Sequence, residues 1–128
     1  MLNPSTADAE KDDPTIRRCI AFAARAGFGG VEILNLFAFR ATRPAALKAA
    51  ADPVGPDNDD HLRTLFGQHR VVLAAWGAHG AFRRRADAVR YIADELGVAL
   101  ICLGRTAQGQ PRHPLYVKRD SAILPYPG

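Results

Sequence analysis

Three short apolar runs constrain this chain more than any other feature: Val31-Glu32-Ile33-Leu34-Asn35-Leu36-Phe37, Arg70-Val71-Val72-Leu73-Ala74-Ala75-Trp76-Gly77 and Ala99-Leu100-Ile101-Cys102-Leu103-Gly104. Each is too short for a core helix, is bounded by glycine or polar residues, and is apolar on both faces. Runs of that kind read as strands of a parallel sheet covered on both sides. The segments between them carry helical signals. Asp13-Pro14 reads as a cap and first turn, with Ile16, Cys19, Ile20 and Ala23 on one inward stripe. Pro44 opens a short helix over 45–51, and Asp57 or Asn58 caps another that ends near Phe66. A turn over 78–81 precedes a longer helix from about Arg83 to Leu96, with Val89, Ile92, Ala93 and Leu96 inward.

The order strand, helix, strand, helix, strand, helix, strand places Met1-Leu2-Asn3-Pro4 at the end of a first strand. Only two or three residues of it are present, so that strand reads as truncated. The expected fold is a single α/β domain over residues 1–128. It is a three-layer α/β/α sandwich with a central parallel sheet of about four strands. Residues 105–128 are rich in proline, glycine and charge and read as an irregular segment carrying part of the site.

Composition narrows the class. At 128 residues and 48% hydrophobic, the chain can build one ordinary core. It has no apolar run of about 20 residues to span a bilayer and no signal peptide at its start. Cys19 and Cys102 lack metal-type spacing and read as buried reduced thiols. These features together suggest a cytoplasmic protein. Net charge is +4, which suits an anionic partner without naming one. No GxxxxGK[ST], GxGxxG, HExxH, paired CxxC or GxSxG pattern is present, so no cofactor or metal is expected.

In open parallel sheets, ligands bind beyond the carboxyl ends of the strands. Four polar loops fall there. The first holds Asn3, Ser5, Thr6 and Asp8, and the second holds Asn35, Arg40, Thr42 and Arg43. The third holds Trp76, Gly77 and His79, and the fourth runs from Arg105 through Gln110, Arg112 and His113 to Tyr116. Each residue also has a plainer reading. Asn3 can cap a turn, and Ser5 and Asp8 can be loop residues. Asn35 can tie loops together, Arg40 and Arg43 can be solvated, and Trp76 can be core rather than a stacking platform. His113, between Arg112 and Pro114, can donate to a developing anion or contact phosphate. Arg83-Arg84-Arg85 reads as a solvated face or a phosphate patch.

Four stretches, "MLNPSTADAEKDDPTIRRC", "VEILNLFAFRATRPAALKAAADPVGPDND", "AAWGAHG" and "GQPRHPLYV", resemble the family known as domain of unknown function 1643. More distantly, the chain resembles the uracil-DNA glycosylase superfamily. Asn3-Pro4 stands where that superfamily has G-x-N-P or G-x-D-P, Asn35 through Arg40 to Pro44 matches its second loop, and His113-Pro114 matches its late H-P. The chain departs from the pattern at Met1, in place of the motif glycine, and at H-P-L-Y, in place of H-P-S-P. The resemblance implies a nucleobase site in which Asn3 positions water and His113 supports the departing base. The expected function is a nucleic-acid or nucleotide-binding domain, at its furthest one that hydrolyses an N-glycosidic bond. Asn3 and His113 would be catalytic, and Ser5, Asp8, Asn35, Arg40, Arg43, Trp76 and Arg112 would bind. The alternatives are a non-catalytic anion or nucleic-acid binding module and an enzyme acting on a small nucleotide or sugar phosphate. Oligomeric state is not legible.

Overall fold

The computed structural model describes residues 1–2, 14–29, 32–37 and 43–126. Helix α1 spans Pro14–Arg25 with proline in its first turn, where a missing N–H costs nothing. Its buried residues are Cys19 and Phe22, while Ile16 and Ile20 are 43% and 53% exposed. The inward stripe is therefore narrower than the apolar period suggests, because α1 meets the protein mainly through the 3₁₀ turn at Pro114–Tyr116. Helix α2, Pro44–Ala49, buries Leu47. Helix α3, Asn58–Phe66, buries Leu62 and Phe66 and follows Asp57.

Strand β1 is Val71–Leu73. After a 3₁₀ segment, Ala78–Arg84, helix α4 runs Arg85–Leu96 and buries Val89, Ile92 and Ala93. Gly97 ends α4 at φ 68°, a left-handed position at which a side chain is strained. Strand β2 is Ala99–Cys102 and β3 is Leu124–Pro125.

The described sheet is open and mixed, in the order β1-β2-β3. β1 and β2 run parallel, with Val71 opposite Ala99 and Leu73 opposite Ile101. β3 runs antiparallel to β2, with Cys102 opposite Leu124. The C-terminal segment is thus less irregular than its composition suggests. Pro125 lacks a ladder N–H and is tolerated because β3 forms the sheet edge.

Residues 32–37 form no assigned strand. Their backbone nevertheless engages the N-terminus. The Met1 α-amine donates to Leu34 O at 2.8 Å, and Leu36 N–H donates to Met1 O at 3.0 Å. Those two bonds are one step of a parallel ladder. Phe37 N–H reaches Leu2 O at 2.9 Å. The core gathers Leu36, Phe37, Leu47, Leu62 and Phe66 with Trp76, Val89, Ile92, Cys102 and Tyr126. The fold is mixed α/β.

Candidate functional site

The third and fourth loops are locked together. Gly77 adopts φ 81° and its N–H donates to Pro111 O at 2.9 Å. A Cβ on Gly77 would lie 3.5 Å from the His113 Cβ, so His113 sits directly beside this turn. Trp76 is 5% exposed, meets Tyr126 edge-on, and donates its indole N–H to Gln110 Oε1 at 2.8 Å. The indole also lies on Gly80, where a Cβ would come within 1.9 Å of the ring. Trp76 is a core residue whose polar edge faces the fourth loop.

The fourth loop is a small hairpin. Arg105 and Pro111 form an antiparallel bridge, and Thr106 N–H donates to Gln110 O at 2.7 Å. Arg112 N–H bonds Gly104 O at 2.9 Å, and its Nε donates to Arg105 O at 3.1 Å. That bond fixes the stem of an exposed guanidinium.

His113 precedes the turn that Pro114 opens. Its Nδ1 accepts from Leu115 N–H at 3.2 Å. An accepting Nδ1 leaves the neutral ring's proton on Nε2, so this histidine is set as an Nε2–H donor. Its ring lies 5.4 Å from that of Tyr116, which is 78% exposed.

The second loop is anchored from beneath by two residues that sequence reasoning missed in this role. Asn58 Nδ2 donates to Asn35 O at 3.1 Å and to Leu36 O at 2.8 Å. Arg85 Nε donates to Leu36 O at 2.9 Å and its Nη2 to Asp59 Oδ1 at 2.7 Å. Arg85 is 4% exposed, so the reading of 83–85 as a solvated face or phosphate patch fails for this arginine. The sequence carried no signal for either role: Asn58 sits beside a cap, and Arg85 is one of three consecutive arginines.

Around this joint the charge is positive. Lys48 Nζ and the Arg83 guanidinium lie 5.7 Å and 5.5 Å from the Phe82 ring, which in turn packs on Phe37. Burial, and then the charge of Lys48, hold the His79 imidazole below its ordinary pKa. Arg43 is exposed at the start of α2, and Asn35 is half-buried. Asn3, Ser5, Asp8 and Arg40 lie outside the described residues. Of the expected site residues, the structure brings Trp76, Arg112 and His113 onto one pair of joined loops. Asn35 belongs to the neighbouring, separately anchored loop. Among the described residues no group of three or more His, Cys, Asp or Glu could hold a metal ion. No described helix is long and apolar enough to cross a membrane.

Residues 1–115 match the family described as protein of unknown function, DUF1643. The chain belongs to that family. No curated protein and no solved structure matches it. The family match takes in the first three polar loops and the fourth through His113, and it ends just before the exposed Tyr116.

Proposed function

We propose that this DUF1643 domain binds nucleic acid or a nucleotide at the joined strand-end loops, and that its furthest activity is hydrolysis of an N-glycosidic bond. The observation that carries the reading is His113, held beside Gly77 with Nδ1 tied to Leu115 N–H and Nε2 as the proton-bearing nitrogen. Such a donor suits a phosphate oxygen or the charge that develops on a departing base. Arg112 would hold phosphate, with Arg40 and Arg43 assigned the same part by their place in the sequence. Asn3 would orient water or sugar, with Ser5 and Asp8 beside it in the chain, and Asn35 would read a base edge. Trp76 would act from the core, fixing the fourth loop through Gln110. The distant resemblance to uracil-DNA glycosylases, and with it the three-layer sheet of four parallel strands, belongs to this same proposal.

The test is a salt titration of binding to labelled single- and double-stranded oligonucleotides, followed by assay of base release from uracil-containing strands. Binding should weaken steeply with salt through counterion release. Base release should disappear in His113→Ala and Asn3→Ala without loss of folding. Salt-dependent binding with no product would leave a binding module. No binding at low salt from a folded chain would remove nucleic acid from the reading.

A further inference from the structure

Of the three arginines at 83–85, only Arg85 has its charge matched in the core. The run follows a break in the 3₁₀ segment Ala78–Arg84, where Phe82 is extended at ψ 129° and Arg83 is left-handed at φ 52°. At the break the Phe82 ring packs on Phe37, with centroids 5.7 Å apart, and Phe37 is fully buried. The ring is thus a fixed post on the core. Two cations from different elements meet at it. Lys48 Nζ, from the last turn of α2, lies 5.7 Å from its centroid, and the Arg83 guanidinium lies 5.5 Å away. Both residues are exposed. Each gains modestly from the ring, but two like charges held this close also repel.

The carboxylates of this region are committed elsewhere. Asp59 holds Arg85 at 2.7 Å, and Asp87 holds Arg84 at 3.4 Å and Arg90 at 3.8 Å. Among the described residues neither Lys48 nor Arg83 has an ion-pair partner. Their position ties them to the joined loops. Gly77, which starts the 78–84 segment, lies against His113, and Gly80 within it is pinned under the Trp76 indole. His79, between these two glycines, feels Lys48: burial first, and then the Lys48 charge, hold its imidazole below the ordinary pKa. The unmatched charge therefore continues along a fixed segment that begins beside the His113 donor. Positive charge concentrated on a rigid frame attracts an anion. A guanidinium adds a planar fork that fits phosphate, and an ammonium adds a point charge.

Resting on the binding reading above, we infer that Lys48 and Arg83, set around Phe82, form a further phosphate subsite, which holds backbone phosphates flanking the nucleotide at His113, so that the ligand is a nucleic-acid strand and not a single nucleotide. A mononucleotide carries one phosphate group, which Arg112 and His113 can take by themselves. Cations carried beyond that pair, one of them on the separate element α2, match a ligand whose charges continue from residue to residue, as a sugar-phosphate backbone does. A nucleoside triphosphate shares this chemistry and is the rival.

The test compares thymidine 5′-monophosphate, thymidine triphosphate and a labelled twelve-nucleotide thymidine strand. Each is titrated into the full chain, into the double variant Lys48→Gln/Arg83→Gln, and into Arg63→Gln/Arg70→Gln. The last removes the same charge from the other edge of the sheet, since Arg70 precedes β1 and Arg63 pairs with Glu95 near the end of α4. Loss of the Lys48–Arg83 pair should weaken the strand by at least about tenfold and lower its salt slope by about 1.4, two single-strand phosphate contacts. Monophosphate binding should stay unchanged, and the control pair should have little effect. Lys48→Arg/Arg83→Lys keeps both charges and should keep the affinity. In the unsubstituted chain, the strand and not the monophosphate should move the His79 ring resonances. Strand binding that the Gln pair leaves unaltered would overturn the subsite while the His113 reading stands. Equal losses in the Gln pair and the control would overturn it in favour of diffuse charge. A triphosphate weakened as much as the strand would overturn it in favour of the rival. A folded chain that binds no strand would remove both the subsite and the nucleic-acid reading.

Discussion

Strand β2 and the 32–37 segment have similar sequences and different fates. Both are short apolar runs followed by a polar loop. β2 is paired on both edges, and its Cys102 is fully buried. Among the described residues, the 32–37 segment forms backbone–backbone hydrogen bonds only with Met1 and Leu2, and Ile33 stays partly exposed on the wall of a cleft that Val71 also lines. Strand character is thus a property of neighbours more than of the run itself. A run with two partners becomes a ladder, and a run with one short partner becomes an extended loop anchored by Asn58 and Arg85.

Truncating each side should give very different costs. Ile92 is 2% exposed on the α4 face of the core, and Ile92→Ala should cost about 3 kcal/mol. Ile33→Ala, on the cleft wall, should cost less than about 1 kcal/mol because its side chain already meets water. Urea denaturation of both variants checks the pair. Equal costs would mean that the cleft is packed as tightly as the core in solution.

Arg85 should rank next, because it fastens the loop-like segment to the core. Arg85→Met keeps much of the apolar stem but loses the bonds to Leu36 O and Asp59, at a cost of about 2 kcal/mol. A double-mutant cycle with Asp59→Asn would isolate the ion pair, which should carry the smaller share because Asp59 is partly exposed.

These residues also mark where the sequence was legible. The four α-helices and the β1 and β2 runs follow from period and punctuation, as at Pro14, Pro44 and Gly97. The antiparallel β3 was hidden because Leu124-Pro125 lies in a proline-rich tail, where composition signals loop. The burial of Arg85 was hidden because three consecutive arginines look alike in sequence, while only the third points inward from the start of α4. Of the site, the loops that converge through Gly77 and Pro111 were legible from strand order. The Asn58 anchor was not, since a residue next to a cap gives no sign that its amide reaches 22 residues back to Leu36 O.

The two regions should also respond differently to pH. The Met1 amine has an ordinary pKa of 8.0 when unfolded and about 6 when folded. Below pH 6 both states are protonated, and the folded state bears the full burial penalty. Between pH 6 and 8 the unfolded state binds more protons, so stability rises with pH, by about 3 kcal/mol in all. Above pH 8 the effect is complete. Urea midpoints measured from pH 5.5 to 8.5 should rise accordingly, and acetylating the Met1 amine should flatten the rise. A profile that acetylation leaves unaltered would place the amine in water instead.

The smallest effect concerns the two ends of α4. Both ends carry a left-handed residue: Gly97 at φ 68° and Arg84 at φ 54°, the latter preceded by Arg83 at φ 52°. Glycine holds that conformation at little cost, whereas a side chain is strained there by about 1 kcal/mol. Gly97→Ala should therefore destabilise by about 1 kcal/mol, and Arg84→Gly should stabilise by about half that. The Arg84–Asp87 pair, at 3.4 Å with the arginine side chain 88% exposed, offsets little of the gain. Arg84 also places positive charge at the helix end that disfavours it. Strain and charge that both oppose folding make Arg84 a position at which to test for a phosphate contact. If Arg84 makes one, the glycine variant should be more stable yet bind oligonucleotide more weakly, with the salt slope lower by about 1. Greater stability with unchanged binding would leave Arg84 as strain without a ligand and would confine the proposed phosphate recognition to Lys48, Arg83 and the joined loops around His113.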